Sequence, residues 1–114
     1  MLENGNKLLV AHRRLFQGEQ PRYFLGEVIA YEAGVAKVKG FSFVRDQLES
    51  FFVRKEDLRT KFVALASAAV IVYQLPDDTD IAAARFQFHD SELTLSDGKN
   101  LNMNLTEIAH RGHI

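Results

Sequence analysis

Apolar and polar residues alternate along most of this chain, the period-two pattern of strands that bury one face. Lys7–Phe16 (KLLVAHRRLF) fits a first strand, with Leu9, Ala11, Arg13 and Leu15 on one side and Leu8, Val10, His12, Arg14 and Phe16 on the other. A helix is its runner-up. Gln17–Pro21 reads as a turn, because glycine and proline together suit neither ladder. Tyr23–Arg45 then supplies two β-like runs, YFLGEVIAY and VAKVKGFSFVR, around the three-residue loop Glu32–Ala33–Gly34, with glycine where positive φ is wanted. Placing Tyr31 opposite Val35 sets Glu27 against Lys39, Val28 against Val38, Gly26 against Gly40, Leu25 against Phe41 and Tyr23 against Phe43. Near the loop the apolar face is Val28, Ala30, Ala36 and Val38. Beyond the facing glycines, Tyr23, Leu25, Phe41 and Phe43 make the opposite face apolar too. That switch predicts a sharp bend at the glycines, as in a small barrel or at a sandwich corner.

Asp46–Ser50 follows as a polar turn, Phe51–Arg54 as a short strand and Lys55–Thr60 as a charged connection with room for one helical turn. Phe62–Pro76 (FVALASAAVIVYQLP) carries no charge and holds the run Val70–Ile71–Val72. It predicts two strands, Phe62–Ala66 and Ala69–Leu75, meeting at Ser67–Ala68, or one long bent strand, lying centrally between the hairpin and the last third of the chain. An Ala-rich helix over Phe62–Ala69 is the rival. Thr79 or Asp80 can cap a short turn over Ile81–Ala84. A meander closes the pattern. A loop at Asp90–Ser91 pairs Phe88 with Leu93, Phe86 with Leu95, Gln87 with Thr94 and His89 with Glu92. A second loop at Asp97–Lys99 pairs Leu95 with Leu101 and Leu93 with Met103. One face is apolar and the other ends in Asn100, Asn102 and Asn104; the tail His110–Ile114 is expected to fray.

The segment Gly26–Gly40, G-E-V-I-A-Y-E-A-G-V-A-K-V-K-G, resembles the Gly-x-Val…Gly-Val/Ile-Ala-x-Val-x-Gly hairpin in the N-terminal barrel of rotary ATPase catalytic-type subunits. The resemblance spans the hairpin alone and implies its bent geometry. No GxxxxGK[ST] loop occurs, so nucleotide hydrolysis of that type is absent.

Composition narrows the chemistry more than the fold. With 114 residues, 46% hydrophobic and 25% charged, the chain is expected to form a single all-β domain over residues 1–114, an antiparallel barrel or sandwich of about seven to nine strands. Having no cysteine, it forms no disulfide and offers no thiolate ligand or nucleophile. No signal-like run opens it and Phe62–Pro76 is too short and polar to span a bilayer, so the expectation is a cytoplasmic protein with no membrane partner.

Charge is uneven, with eleven Lys/Arg against eight Asp/Glu in residues 1–61 and three against seven in residues 62–114. A basic face built from Arg13, Arg14, Arg22, Lys37, Arg45, Arg54, Lys55, Arg59 and Lys61, interleaved with Phe16, Tyr23, Phe41 and Phe43, would suit single-stranded nucleic acid. Against it, the same aromatics are needed for a core, Glu27 is placed to neutralise Lys39, and the isoelectric point is near 6.4. His12, His89, His110 and His113 do not group as metal ligands, and Asp77–Asp80 lacks the glycine and distal glutamate of a calcium loop. No GxSxG elbow occurs. No catalytic residue, cofactor or metal is therefore assigned. The leading expectation is a non-catalytic binding or assembly module that self-associates as a homo-oligomer, since many short strands leave edges to be covered. Single-stranded nucleic-acid binding comes second, and a small-molecule or enzyme site in a barrel mouth third.

Overall fold

The computed structural model of the protein describes residues 2–13, 22–45, 52–89 and 92–105. Within them the chain is all-β and antiparallel, as the alternation predicts. Nine strands form: β1 (Lys7–His12), β2 (Arg22–Glu32), β3 (Val35–Arg45), β4 (Phe52–Arg54), β5 (Arg59–Ala64), β6 (Val70–Leu75), β7 (Arg85–His89), β8 (Glu92–Ser96) and β9 (Asn102–Asn104). The larger sheet runs β4-β3-β2-β1-β6, with β5 also paired to β3; the smaller is β7-β8-β9. No helix among the described residues is long and apolar enough to cross a membrane.

The β2–β3 hairpin organises the larger sheet. Ala33 and Gly34 both take positive φ, 51° and 80°, so the turn has two residues, and Glu32 pairs with Val35. That is one residue tighter than the expected loop. The register shifts between Val28 and Ala30, leaving Ile29 as the extra residue of a bulge. Below it the expected pairs hold, from Val28–Val38 through Gly26–Gly40 to Tyr23–Phe43. The glycines are paired because nothing else fits. A Cβ on Gly40 would run into the Leu25 carbonyl, and one on Gly26 would lie 2.6 Å from the Lys39 oxygen.

The bend lets the sheet bury both faces. On its outer face Leu9, Ala11, Tyr23, Leu25, Phe43 and Leu75 pack against Phe86, Leu93, Leu95, Leu101 and Leu105 of the smaller sheet and its loops. Tyr23, Phe43 and Phe52 all surround the Phe86 ring, with centroids 4.8–5.3 Å away. On its inner face Leu8, Val10, Phe24, Val28, Ala36, Val38 and Val63 form a second core, joined by Leu2, Tyr31, Leu65, Val70 and Val72. Nearly all of these come from the same sheet, which therefore curls over itself. No pairing joins β5 to β6 among the described residues, so the expected barrel is not closed.

Two expectations need correcting. Phe62–Pro76 does divide into strands, at Arg59–Ala64 and Val70–Leu75, but neither is central. β6 lies at one end of the sheet and β5 along the outer side of β3, while β2 and β1 hold the middle. Phe62 is 72% exposed and only Val63 and Leu75 of the segment's large apolar residues are buried. Neutral, β-branched sequence marks a strand here and not its depth. The meander also pairs differently at its second turn: Leu95 faces Met103 and Ser96 faces Asn102. The loop is longer because the Asp97 carboxylate organises it, Oδ1 accepting from the backbone N–H groups of Lys99, Asn100 and Leu101. A slip of two residues keeps every side chain on its expected face. Within the first turn the Phe86–Leu95, Gln87–Thr94, Phe88–Leu93 and His89–Glu92 pairs are as expected. Asp80 closes one turn over Ile81–Ala84, its carboxylate and carbonyl both accepting from Ala83. The Asp46–Ser50 turn, the Gln17–Pro21 turn and the tail lie outside the described residues.

Candidate functional site

At the open end of the curled sheet, where β1 finishes and β2 begins, the inner face changes from apolar to basic. Leu8 and Val10 are followed at the same parity by His12, and the ladder places His12 beside Arg22 and Arg22 beside Val44. From the other side, β5 pairs Arg59 with Gly40 and Lys61 with Val38, which brings both onto that same face. Between β4 and β5 the chain crosses over Ser42, whose carbonyl accepts from the Lys55 backbone N–H at 2.8 Å. His12, Arg22, Lys55, Arg59 and Lys61 line a cleft of about 190 Å³ together with the strand positions Tyr23, Ser42, Phe43 and Val44, of which Tyr23 and Phe43 turn their rings to the outer face.

The charges in this cleft are poorly balanced. Among the described residues Arg59 has a carboxylate partner, Asp57 at 2.6 Å, which the Lys55 charge also reaches, whereas Arg22 and Lys61 pair with none. No Asp or Glu lines the cleft among the described residues. The Lys61 ammonium sits 4.8 Å from the centroid of the buried Phe24 ring. Burial there, and the nearby Arg22 and Arg59, lower its pKa. His12 is likewise held below its ordinary value of 6.5, by burial first and then by Lys61 and Arg22. Each shift has the sign expected of a part-buried cation with other cations beside it.

Strand parity sorts the nine basic residues singled out from the sequence. Arg22, Lys55, Arg59 and Lys61 converge on the cleft. Lys37 does not: it lies beside the exposed Phe62, 5.8 Å from the ring centroid. Arg54 is committed to structure, stacking 4.6 Å from the Phe41 ring centroid and donating to the Ala82 carbonyl at 2.6 Å and to Glu56 at 3.2 Å. Arg45 and Arg13 are exposed, each one residue past a position on the cleft's side. Arg14 lies outside the described residues. Glu27, opposite Lys39 in the ladder, makes its ion pair with Lys7 instead, at 3.1 Å.

His12 is the cleft residue that the sequence reading missed. Its parity with Leu8 and Val10 is readable in the sequence, but its place beside Arg22 follows only once β1 pairs with β2. Elsewhere, no three His, Cys, Asp or Glu side chains gather as metal ligands among the described residues. Asn102 and Asn104 are exposed on the smaller sheet. Comparison with protein-family models, curated proteins and solved structures finds no match to this chain. The likeness of Gly26–Gly40 to the ATPase hairpin is thus one of local geometry.

Proposed function

We propose that the protein is a non-catalytic binding module that holds single-stranded nucleic acid at the open end of its larger sheet. The observation that carries this reading is the cleft itself, in which Arg22, Lys55, Arg59, Lys61 and His12 converge with one carboxylate partner between them. Crowded cations repel one another, and a phosphate relieves that repulsion and adds charge-assisted hydrogen bonds that offset the water they lose. Binding of a short fluorescein-labelled oligonucleotide, followed by anisotropy, tests it. Affinity should fall as salt rises, as phosphate binding requires. Arg22→Gln and Lys61→Gln should weaken binding, while Lys37→Gln, on the other side of the sheet, should leave it unchanged. No binding at low salt, or equal loss in all three variants, would remove the reading.

A second reading rests on β6. Its outer edge is unpaired among the described residues and Val70–Leu75 carries no charge, the condition in which a strand pairs with a second copy. Self-association should then appear in light scattering at high concentration and be suppressed by Gln74→Lys, which puts a charge on an exposed edge position. A wild-type protein that stays monomeric throughout rules this reading out.

A further inference from the structure

We propose that the cleft recognises a terminal phosphate monoester of the strand, its 5′ or 3′ end, instead of following the phosphodiester backbone. This deepens the nucleic-acid reading and rests on it. Two features of the site favour an end over a track. The first is size. At about 190 Å³ the cleft is smaller than the roughly 300–1,000 Å³ of pockets that enclose drug-sized ligands. It has room for a phosphate and part of its sugar, with the chain leading out.

The second is the placement of charge. A groove that tracks a backbone needs cations spaced along it, one for each phosphate passed. Here Arg22, Lys55, Arg59 and Lys61 line one small cleft. Of the other described candidates, Lys37 lies against Phe62, Arg54 is spent on Phe41, Ala82 and Glu56, and Arg13 and Arg45 follow His12 and Val44 at the opposite parity. Several cations around one small cleft match a group bearing more than one negative charge. A phosphodiester carries a single charge, whereas a monoester is close to a dianion at neutral pH, with its second pKa near 6. Arg22 supplies a planar donor fork for its oxygens, Arg59 offers its Nη groups while its Nε is held by Asp57, and Lys61 and Lys55 supply point charges. His12 completes the ring as a donor when protonated, which an adjacent dianion favours.

The experiment compares the ends directly. Labelled pentanucleotides of DNA and of RNA carry either a phosphate or a hydroxyl at the 5′ end, and a second set varies the 3′ end. One phosphorylated end should bind about tenfold tighter than its hydroxyl counterpart, the scale of an added charge-assisted contact. Lys61→Gln should abolish that difference, with its thermal unfolding monitored to show that it folds. Arg22→Gln provides the same test from another strand. A nucleoside monophosphate should compete where the nucleoside does not. Equal affinity for phosphorylated and unphosphorylated ends would overturn the terminal-phosphate inference and leave nucleic-acid binding standing. Failure of every oligonucleotide to bind would overturn both.

Discussion

The two faces of the larger sheet solve opposite problems with the same pleat. The outer face meets a second sheet and fills the gap with rings: Tyr23, Phe43 and Phe52 around Phe86. The inner face has no second sheet, so it curls, buries small and branched residues such as Val10, Val28, Ala36 and Val38, and runs out of apolar material at its open end. There His12, Arg22 and Lys61 replace aliphatic side chains. The outer face is thus arranged for stability, while the open end of the inner face gives some of it up. Cations gathered with a single carboxylate, Asp57, among them are a cost that folding alone does not require.

Four experiments break or sharpen this contrast. The largest effect is expected at the joint that both faces share. Gly40→Ala forces a Cβ into the Leu25 backbone, and overpacking that only backbone movement can relieve should cost upwards of about 3 kcal/mol, measured by denaturant unfolding. Next, Phe86→Ala removes the centre of the aromatic cluster. It should cost about 3–5 kcal/mol and lower oligonucleotide affinity per folded molecule less than a cleft substitution does, because Phe86 does not line the cleft itself, although its neighbours Tyr23 and Phe43 do. Third, Lys61→Met should do the reverse. It keeps the stem over Phe24, relieves repulsion with Arg22 and Arg59, and should leave the melting temperature level or higher while binding falls about tenfold.

The smallest effect is in pH. His12 has a folded pKa below 6.5, so the unfolded chain takes up its proton first and stability declines as pH drops below 6.5. The decline ends once the folded pKa is passed. His12→Asn should flatten that limb of a melting-temperature profile, and a bound phosphate should oppose it. Arg22 and Lys61 are the charges that face His12 and lower its pKa further. At lower pH a second loss belongs to Asp97, whose pKa its backbone donors hold at about 2 instead of 3.8. Its contribution is present above about 4 and disappears as pH falls towards 2.

The hairpin was legible because its two glycines can pair in only one way, and that pairing fixed the register from Val28 to Tyr23. Its turn was not. A three-residue loop and a two-residue turn with a bulge at Ile29 lead to the same pairs below, so the pattern of side chains does not separate them. The slip at β9 was hidden for a related reason, since two residues restore the same face. In Phe62–Pro76 lack of charge does not report depth, because a strand at the end of a sheet such as β6 is neutral too. For the cleft, the residue types were visible but their sorting was not. Which of nine cations converge depends on parity within strands whose order the sequence does not state, and Arg59 and Lys61 reach Arg22 only because β5 lies along β3.

The Asp97 carboxylate has a consequence for how parts of the molecule open. It receives four backbone N–H groups, three from its own loop and one, at 2.9 Å, from Asp80 on the connection that arrives from the larger sheet. Those amides belong to loop backbone outside any ladder, yet all four hang on a single side chain. Their exchange with solvent deuterium should therefore be slow and should quicken together in Asp97→Asn. A three-stranded meander is short of partners by itself. Through this one residue its last turn can open only when the crossover to the larger sheet lets go.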